Sequence, residues 1–176
     1  MDRSDIIFVR KHTIEDYESR WLAAHHITLP SAKLTPLENI LREIRLIKSP
    51  EEIENIRQAI TITKVAYQKI RTVIEPKMYE YEVESHVAQV FRAHHAVEAY
   101  PTIVASGSNA CTLHYTRHDG RLSTDSLLLV DFGAEYRGYA ADITRVFSLT
   151  PMTPRQMAIY EAVLRVKHFA ESQIRP

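Results

Sequence analysis

Apolar residues recur at helical spacing through the second quarter of the chain. After Ser49 they follow one another at intervals of three, four or seven residues until Pro76, which predicts one long amphipathic helix. Its predicted buried stripe consists of Ile53, Ile56, Ile60, Tyr67, Ile70 and Ile74. A second helix is predicted from about Tyr79 to His95, with a buried stripe formed by Val83, Val87, Val90 and Phe91. Two amphipathic helices of this kind require a larger core on which to pack.

Three positions carry the same helix-start signal, in which a hydroxyl cap is followed by a proline at the first helical position. They are Thr35-Pro36, Ser49-Pro50 and Thr153-Pro154. The third signal predicts a last helix from Pro154 towards Gln173. Its predicted buried residues are Met157, Tyr160, Val163, Leu164 and Phe169.

The region between these helices is rich in β-forming residues and holds all four glycines of the chain. Strands are predicted near Thr102–Ser106, Leu127–Phe132 and Tyr139–Leu149, and the last two are expected to form a hairpin. The order of helix, helix, antiparallel strands and helix predicts an α+β fold.

The opening segment contains too few elements to close a core of its own. It shows a strand at Ile6–Val9 and a helix after Thr13. Residues 1–35 are therefore predicted to be the C-terminal remnant of a preceding domain. Residues 36–48 are expected to be a connecting helix or linker, and residues 49–176 the main domain.

Composition narrows the classes of partner. Lys and Arg together number 22, as do Asp and Glu, so the net charge is zero and neither nucleic acid nor a membrane is an expected partner. Cys111 is the only cysteine, which excludes an internal disulfide and a cysteine cage for zinc. No apolar stretch approaches the roughly 20 residues that span a bilayer. A cytoplasmic location is expected.

Two aspartates stand out in the predicted hairpin. Asp131 and Asp142 each lie in apolar, β-prone sequence, where aspartate is disfavoured. If the hairpin is centred between Tyr136 and Arg137, the two face each other with Cβ atoms about 4.5–5.5 Å apart. A bulge at Gly138 would slip the register by one residue and turn them to opposite faces.

The spacing alone leaves the role of these residues open. Asp131 and Asp142 fit carboxylate ligands of one or two divalent metals such as Mn²⁺, and equally fit solvated aspartates on an exposed hairpin. His114 could orient a substrate carbonyl or exchange a proton, or it could be an ordinary loop histidine. Cys111 is more simply interpreted as a small structural thiol than as a nucleophile.

Three motifs together resemble the catalytic domain of Xaa-Pro aminopeptidases and prolidases, metallopeptidases of the pita-bread fold. They are IKSPEEIENIRQA, VASGSNACTLHYT and LLLVDFGAEYRGYAADITRVF, and a T-P-x-Q helix follows them. The resemblance covers roughly Leu41 to Pro176. It implies the first half of a pita-bread (creatinase/aminopeptidase-like) domain, with helices packed on a curved antiparallel sheet. The segment before it would be a remnant of a creatinase-like N-terminal domain.

The resemblance also implies roles for the three candidate residues. Asp131 matches the ligand of one metal, Asp142 matches the ligand that bridges two, and His114 matches the histidine that contacts substrate. The implied cofactors are two divalent ions, with Mn²⁺ first and Co²⁺ or Zn²⁺ as alternatives. The implied reaction is hydrolysis of the N-terminal Xaa-Pro bond of proline-containing peptides by a water held between the metals.

The remaining ligands implied by the resemblance, one histidine and two glutamates, belong to a second half that would follow Pro176. His168 and Glu171 share one face of the last helix, but nothing in the pattern turns that face towards the hairpin. The chain is therefore expected to be a fragment that is inactive alone. It would form a homodimer or pair with the missing C-terminal half. The alternative function is a non-catalytic pita-bread module that binds peptides or proteins.

Overall fold

The computed structural model describes residues 7–9, 24–25 and 34–175. The chain divides into two units, residues 1–51 and residues 52–176. Several boundaries coincide with a proline or a glycine, such as Pro50, Gly133 and Pro154.

The first unit contains a short parallel strand pair and a helix. Strand β1 (Ile7–Val9) pairs with β2 (Leu34–Pro36), and helix α1 (Leu37–Leu46) follows directly. The predicted strand at Ile6–Val9 is thus confirmed. The helix predicted after Thr13 lies outside the described residues.

The described part of the second unit contains three α-helices, the 3-10 helix Gly107–Cys111 and six strands. The α-helices are α2 (Pro50–Val73), which begins at the unit boundary, α3 (Glu80–Ala93) and α4 (Pro154–Gln173). The strands are β3 (Val97–Glu98), β4 (Ile103–Ser106), β5 (Leu127–Phe132), β6 (Ala134–Tyr136), β7 (Tyr139–Ala140) and β8 (Ile143–Ser148). Two antiparallel sheets result, ordered β3-β6-β7 and β4-β5-β8. The α+β prediction is confirmed.

Helix α3 buries the stripe that its sequence predicts. Val83, Val87, Val90 and Phe91 are all buried, and they pack in a core with residues of α2 and the central strands. Phe91 meets the ring of Phe132 edge to face, with ring centroids 5.9 Å apart. The amphipathic pattern therefore identified the correct face of this helix.

Helix α2 has its predicted length, but part of its predicted stripe is wrong. Tyr67 and Ile70 are buried, whereas Ile53 and Ile60 are 41% and 45% exposed. The residues that α2 buries are Ala59, Ile62, Thr63, Ala66, Tyr67 and Ile70. The small residues of this row face the sheet, where the Thr63 hydroxyl accepts a hydrogen bond from the backbone nitrogen of Ala134 at 2.9 Å.

Helix α4 also has its predicted extent, but the burial predicted for its apolar residues is wrong. None of its residues is buried, and Val163 and Phe169 are 63% and 66% exposed. No described helix or strand covers this apolar face. Among the described residues, no helix is long and apolar enough to cross a membrane.

The predicted hairpin is present and runs through β5, β6, β7 and β8. Its turn residues are Arg137 and Gly138, whose φ values of 50° and 82° are both positive. Tyr136 pairs with Tyr139 across them. Two positive φ values in a two-residue loop are typical of a type I′ turn, whose twist matches that of the strands. The centre of the hairpin therefore lies between Arg137 and Gly138.

Candidate functional site

The register of the hairpin places the two candidate aspartates diagonally. Asp131 in β5 pairs with Thr144 in β8, and Asp142 lies just before β8 begins. Direct opposition of the aspartates is therefore wrong, and so is the one-residue slip. The pairing is displaced by two residues from direct opposition, and since side chains alternate with a period of two, the displacement keeps both aspartates on one face.

A tyrosine hydroxyl confirms that the two carboxylates converge. Tyr100 Oη lies 2.7 Å from Oδ1 of Asp131 and 2.9 Å from Oδ1 of Asp142. Burial, followed by the hydrogen bonds to the two carboxylates, raises the pKa of Tyr100 far above its ordinary value. The hydroxyl is therefore a proton donor at neutral pH, and its one proton serves two acceptors. Sequence reasoning missed Tyr100, and only the proline that follows it marks the position.

The remaining carboxylate oxygens are available for a cation. The Oδ2 atoms of Asp131 and Asp142 accept no hydrogen bond from any residue that the structure describes, and no described cation forms an ion pair with either. Two neighbouring carboxylates repel each other unless a cation or a proton lies between them. Hard divalent ions prefer oxygen donors of this kind. The donor set thus fits a divalent metal.

The described residues supply only these two metal-ligand candidates at this position. No group of three or more His, Cys, Asp or Glu side chains in the described part of the chain is arranged to hold a metal. Two carboxylates and water bind a divalent ion more weakly than a cage with more protein ligands does. Each further protein ligand that the fold already holds in place replaces a bound water without having to be immobilised itself.

Helix α2 fixes the backbone on both sides of the pair. Tyr67 Oη lies 2.8 Å from the carbonyl oxygen of Val130 and 2.6 Å from that of Ile143. Val130 immediately precedes Asp131, and Ile143 immediately follows Asp142. Burial, followed by the negative charge of Asp131, raises the pKa of the Tyr67 hydroxyl, so it remains a donor. The Tyr67 hydroxyl therefore links β5 and β8 to α2 next to the two aspartates.

Gly133 allows the backbone after β5 to approach the backbone at Ala141 and Asp142 closely. A Cβ atom at this position would lie 1.6 Å from the carbonyl oxygen of Ala141 and 3.1 Å from the backbone nitrogen of Asp142. The first distance is far inside van der Waals contact, the second is a tight contact, and both partners are backbone atoms that cannot rotate away. Only glycine fits beneath this segment.

His114 lies in the loop that follows the 3-10 helix Gly107–Cys111. It is exposed, it has a positive φ of 51°, and it forms no hydrogen bond or ion pair with a described residue. The structure thus brings Asp131 and Asp142 together, and it shows no direct contact between His114 and either of them.

A buried glutamate holds the ends of the His114 loop. Glu80 is fully buried, and its carboxylate accepts hydrogen bonds from the backbone nitrogens of Ser106, at 2.6 Å, and Gly120, at 2.9 Å. These two residues bracket the loop. Sequence reasoning missed Glu80, although its spacing from Val83 marks it as part of the buried stripe of α3.

Side chains within the loop also donate to Glu80. Tyr115 Oη lies 2.7 Å from its Oε2, and Asn109 Nδ2 lies 3.0 Å from its Oε1. Burial, followed by the hydrogen bond to Glu80, raises the pKa of Tyr115 to about 12. Tyr115 is the residue after His114, so the Glu80 network fixes the backbone at the candidate histidine.

Comparison with known proteins gives a consistent result. The model of metallopeptidase family M24 matches residues 54–176. The Xaa-Pro aminopeptidase of Escherichia coli is 40% identical over 141 residues, which are 79% of this chain and 32% of that protein. The chain thus spans about a third of the length of this curated relative.

The fold of this chain is similar to that of solved aminopeptidase structures. Proline aminopeptidase P II from Yersinia pestis superposes with a TM-score of 0.86 at 35% identity, over 99% of this chain and 42% of that one. Aminopeptidase P from E. coli with the inhibitor Pro-Leu gives a TM-score of 0.77 at 34% identity, over 92% and 39% of the two chains. The fold is that of the pita-bread aminopeptidases, as the sequence motifs predicted.

Proposed function

This chain belongs to metallopeptidase family M24, and on that premise we propose that Asp131 and Asp142 bind divalent metal in a site that cleaves Xaa-Pro bonds. The observation that carries the proposal is the convergence of the two carboxylates on the Tyr100 hydroxyl, with both Oδ2 atoms free of described partners. The relative named Xaa-Pro aminopeptidase and the neighbour bound to Pro-Leu support proline-containing peptides as the substrate class.

The proposed roles follow the chemistry of each side chain. Asp131 and Asp142 would together hold the divalent metal, with Mn²⁺ as the preferred ion because carboxylates are its favoured ligands. A divalent ion in such a site polarises the scissile carbonyl and lowers the pKa of water. His114 contacts the substrate through its exposed imidazole, which can donate or accept a hydrogen bond near neutral pH.

The complete activity, in this proposal, requires sequence beyond these 176 residues. The described residues provide two carboxylates and no larger group of metal ligands, while the relative from E. coli is about three times as long as the matched part. The apolar face of α4, which includes Val163 and Phe169, is suited to pack against that further sequence. A non-catalytic binding module is the less favoured alternative, because both aspartates are present and converge.

Titration with Mn²⁺ tests the metal assignment. We expect weak, saturable binding that Asp131→Ala reduces more than about tenfold, since the variant removes one of the two carboxylates. The electron paramagnetic resonance signal of free Mn²⁺ measures the bound fraction. Asp125→Ala, which removes an exposed carboxylate from a loop, is the matched control and should bind as the wild type does. Absence of binding by the wild type, or equal binding by Asp131→Ala, would contradict the assignment.

The need for further sequence is tested separately with an Xaa-Pro peptide. The purified chain, supplied with Mn²⁺, is expected to release no N-terminal residue above the buffer rate, because two ligands cannot hold the ions tightly enough. Chromatography of the released amino acid measures the reaction, with E. coli aminopeptidase P as the positive control. Turnover that disappears in Asp131→Ala would show instead that this chain alone is active.

A further inference from the structure

We propose that Tyr100 is a positioning residue that sets the spacing of the Asp131 and Asp142 carboxylates in advance of metal binding. The inference rests on the proposed function and deepens it, because it assigns a role to a residue outside the ligand pair. Tyr100 would act through the two aspartates rather than on the substrate.

Tyr100 contacts both carboxylates through a single atom. One phenolic oxygen lies within hydrogen-bonding distance of one oxygen from each carboxylate, at 2.7 Å and 2.9 Å. The hydroxyl therefore selects the Oδ1 atoms of Asp131 and Asp142 and leaves both Oδ2 atoms for a cation. A shared donor also places positive charge density between two groups that would otherwise repel each other.

The backbone holds Tyr100 in place from both sides. On its N-terminal side, the backbone nitrogen of Ala99 donates to the carbonyl of Gly133 at 2.9 Å. On its C-terminal side, Pro101 restricts Tyr100 to extended backbone, and Ile103 pairs with Asp131. The tyrosine thus lies where the chain crosses from one sheet to the other, anchored on both sides to the segment that carries Asp131.

The shared donor also lowers the free-energy cost of holding the two carboxylates close together. Asp131 is half-buried in a paired strand, whereas Asp142 is exposed and lies in the gap between β7 and β8. Without a shared donor, repulsion would favour rotamers that turn the carboxylates apart, and a metal would have to restore the convergent arrangement on binding. Groups that are already arranged for a ligand lose less entropy when it binds. Residues that orient ligands typically change metal affinity 10–100-fold.

Tyr100→Phe tests the inference, because it removes the hydroxyl and keeps the ring. The Kd of the full chain for Mn²⁺ is expected to rise about 10–100-fold. Tyr81→Phe, on an exposed ring that stacks on Tyr79, is the matched control and should leave the Kd unchanged. The ultraviolet difference spectrum of tyrosine on addition of Mn²⁺ should appear in the wild type and in Tyr81→Phe, and be absent from Tyr100→Phe. An unchanged Kd in Tyr100→Phe overturns the inference.

A metal-free measurement separates this inference from the proposed function. Urea unfolding of Tyr100→Phe, Asp131→Asn and the double variant forms a cycle in which coupled residues give non-additive shifts of the midpoint. Non-additive shifts support Tyr100 as the link between the carboxylates even if the wild type binds no Mn²⁺, a result that would count against the metal assignment alone. Additive shifts overturn the positioning role whether or not metal binds.

Discussion

Gly133→Ala is expected to destabilise the chain by about 3 kcal/mol or more, at or above the upper end of the usual effects of overpacking. The added methyl group would lie 1.6 Å from the carbonyl oxygen of Ala141, so the strand segment that leads into Asp142 must move away. The same movement separates Asp142 from Asp131, and Mn²⁺ binding should weaken along with stability. Urea unfolding measures the first effect, and Mn²⁺ titration of the folded variant measures the second.

Gly138→Ala is the matched control for this prediction. Nothing lies within 4 Å of the Cβ atom that it would add, but the φ of Gly138 is 82°, so its cost is conformational and about 1 kcal/mol. A loss in Gly133→Ala no larger than that of Gly138→Ala would show that the strands can separate at little cost. The steric account of Gly133 would then be wrong.

Glu80→Ala is expected to cost on the order of 4 kcal/mol, because it removes the acceptor of several buried donors at once. The backbone nitrogens of Ser106 and Gly120 and the Tyr115 hydroxyl all donate to Glu80, and the bonds from Ser106 and Tyr115 are buried. Loss of these contacts should also loosen the loop that carries His114. Urea unfolding gives the stability, and limited proteolysis between residues 107 and 119 reports the loop.

Glu54→Ala, which truncates an exposed glutamate on α2, is the control and should change stability by less than about 0.5 kcal/mol. Glu80→Gln retains one acceptor oxygen and is expected to fall between the two. If Glu80→Ala unfolds at the same urea concentration as Glu54→Ala, the buried network does not contribute to stability as its geometry indicates.

The helices and the hairpin could be predicted because their signals are local. Thr153 and Pro154 mark the start of α4 within a few residues of sequence, and Gln156 completes the capping box by accepting from the backbone nitrogen of Thr153 at 2.8 Å. The family motif likewise drew attention to the two aspartates within a short stretch, and their role as metal ligands stays a prediction. Burial of α4 could not be predicted in this way, because exposure depends on what covers a helix rather than on its own residues.

The hairpin register was misplaced for a physical reason. Arg137 occupies the first turn position with a φ of 50°, a conformation that a type I′ turn usually assigns to asparagine, aspartate or glycine. Nothing in the arginine itself indicates that role, so the centre was placed one residue too early. The period of two along a strand nevertheless preserved the shared face of Asp131 and Asp142.

Tyr100 and Glu80 were missed because their partners are distant in sequence. Tyr100 lies 31 and 42 residues from the two aspartates it contacts, and Glu80 lies 40 residues from Gly120. Sheet pairing and loop closure create these contacts, and no short pattern encodes them. Glu80 could have been suspected from its place in an apolar helical stripe, where an unpartnered carboxylate would be costly.

The two carboxylates differ in how firmly the fold holds them. Asp131 lies on β5, the middle strand of its sheet, and is paired with Ile103 on one side and Thr144 on the other. Asp142 lies in the interruption between β7 and β8, beside an edge strand. If the proposed metal site exists, a protein engineer who wished to adapt it to a cation of another radius would therefore vary the chain around Asp142. The paired strands around Asp131 would be left unchanged.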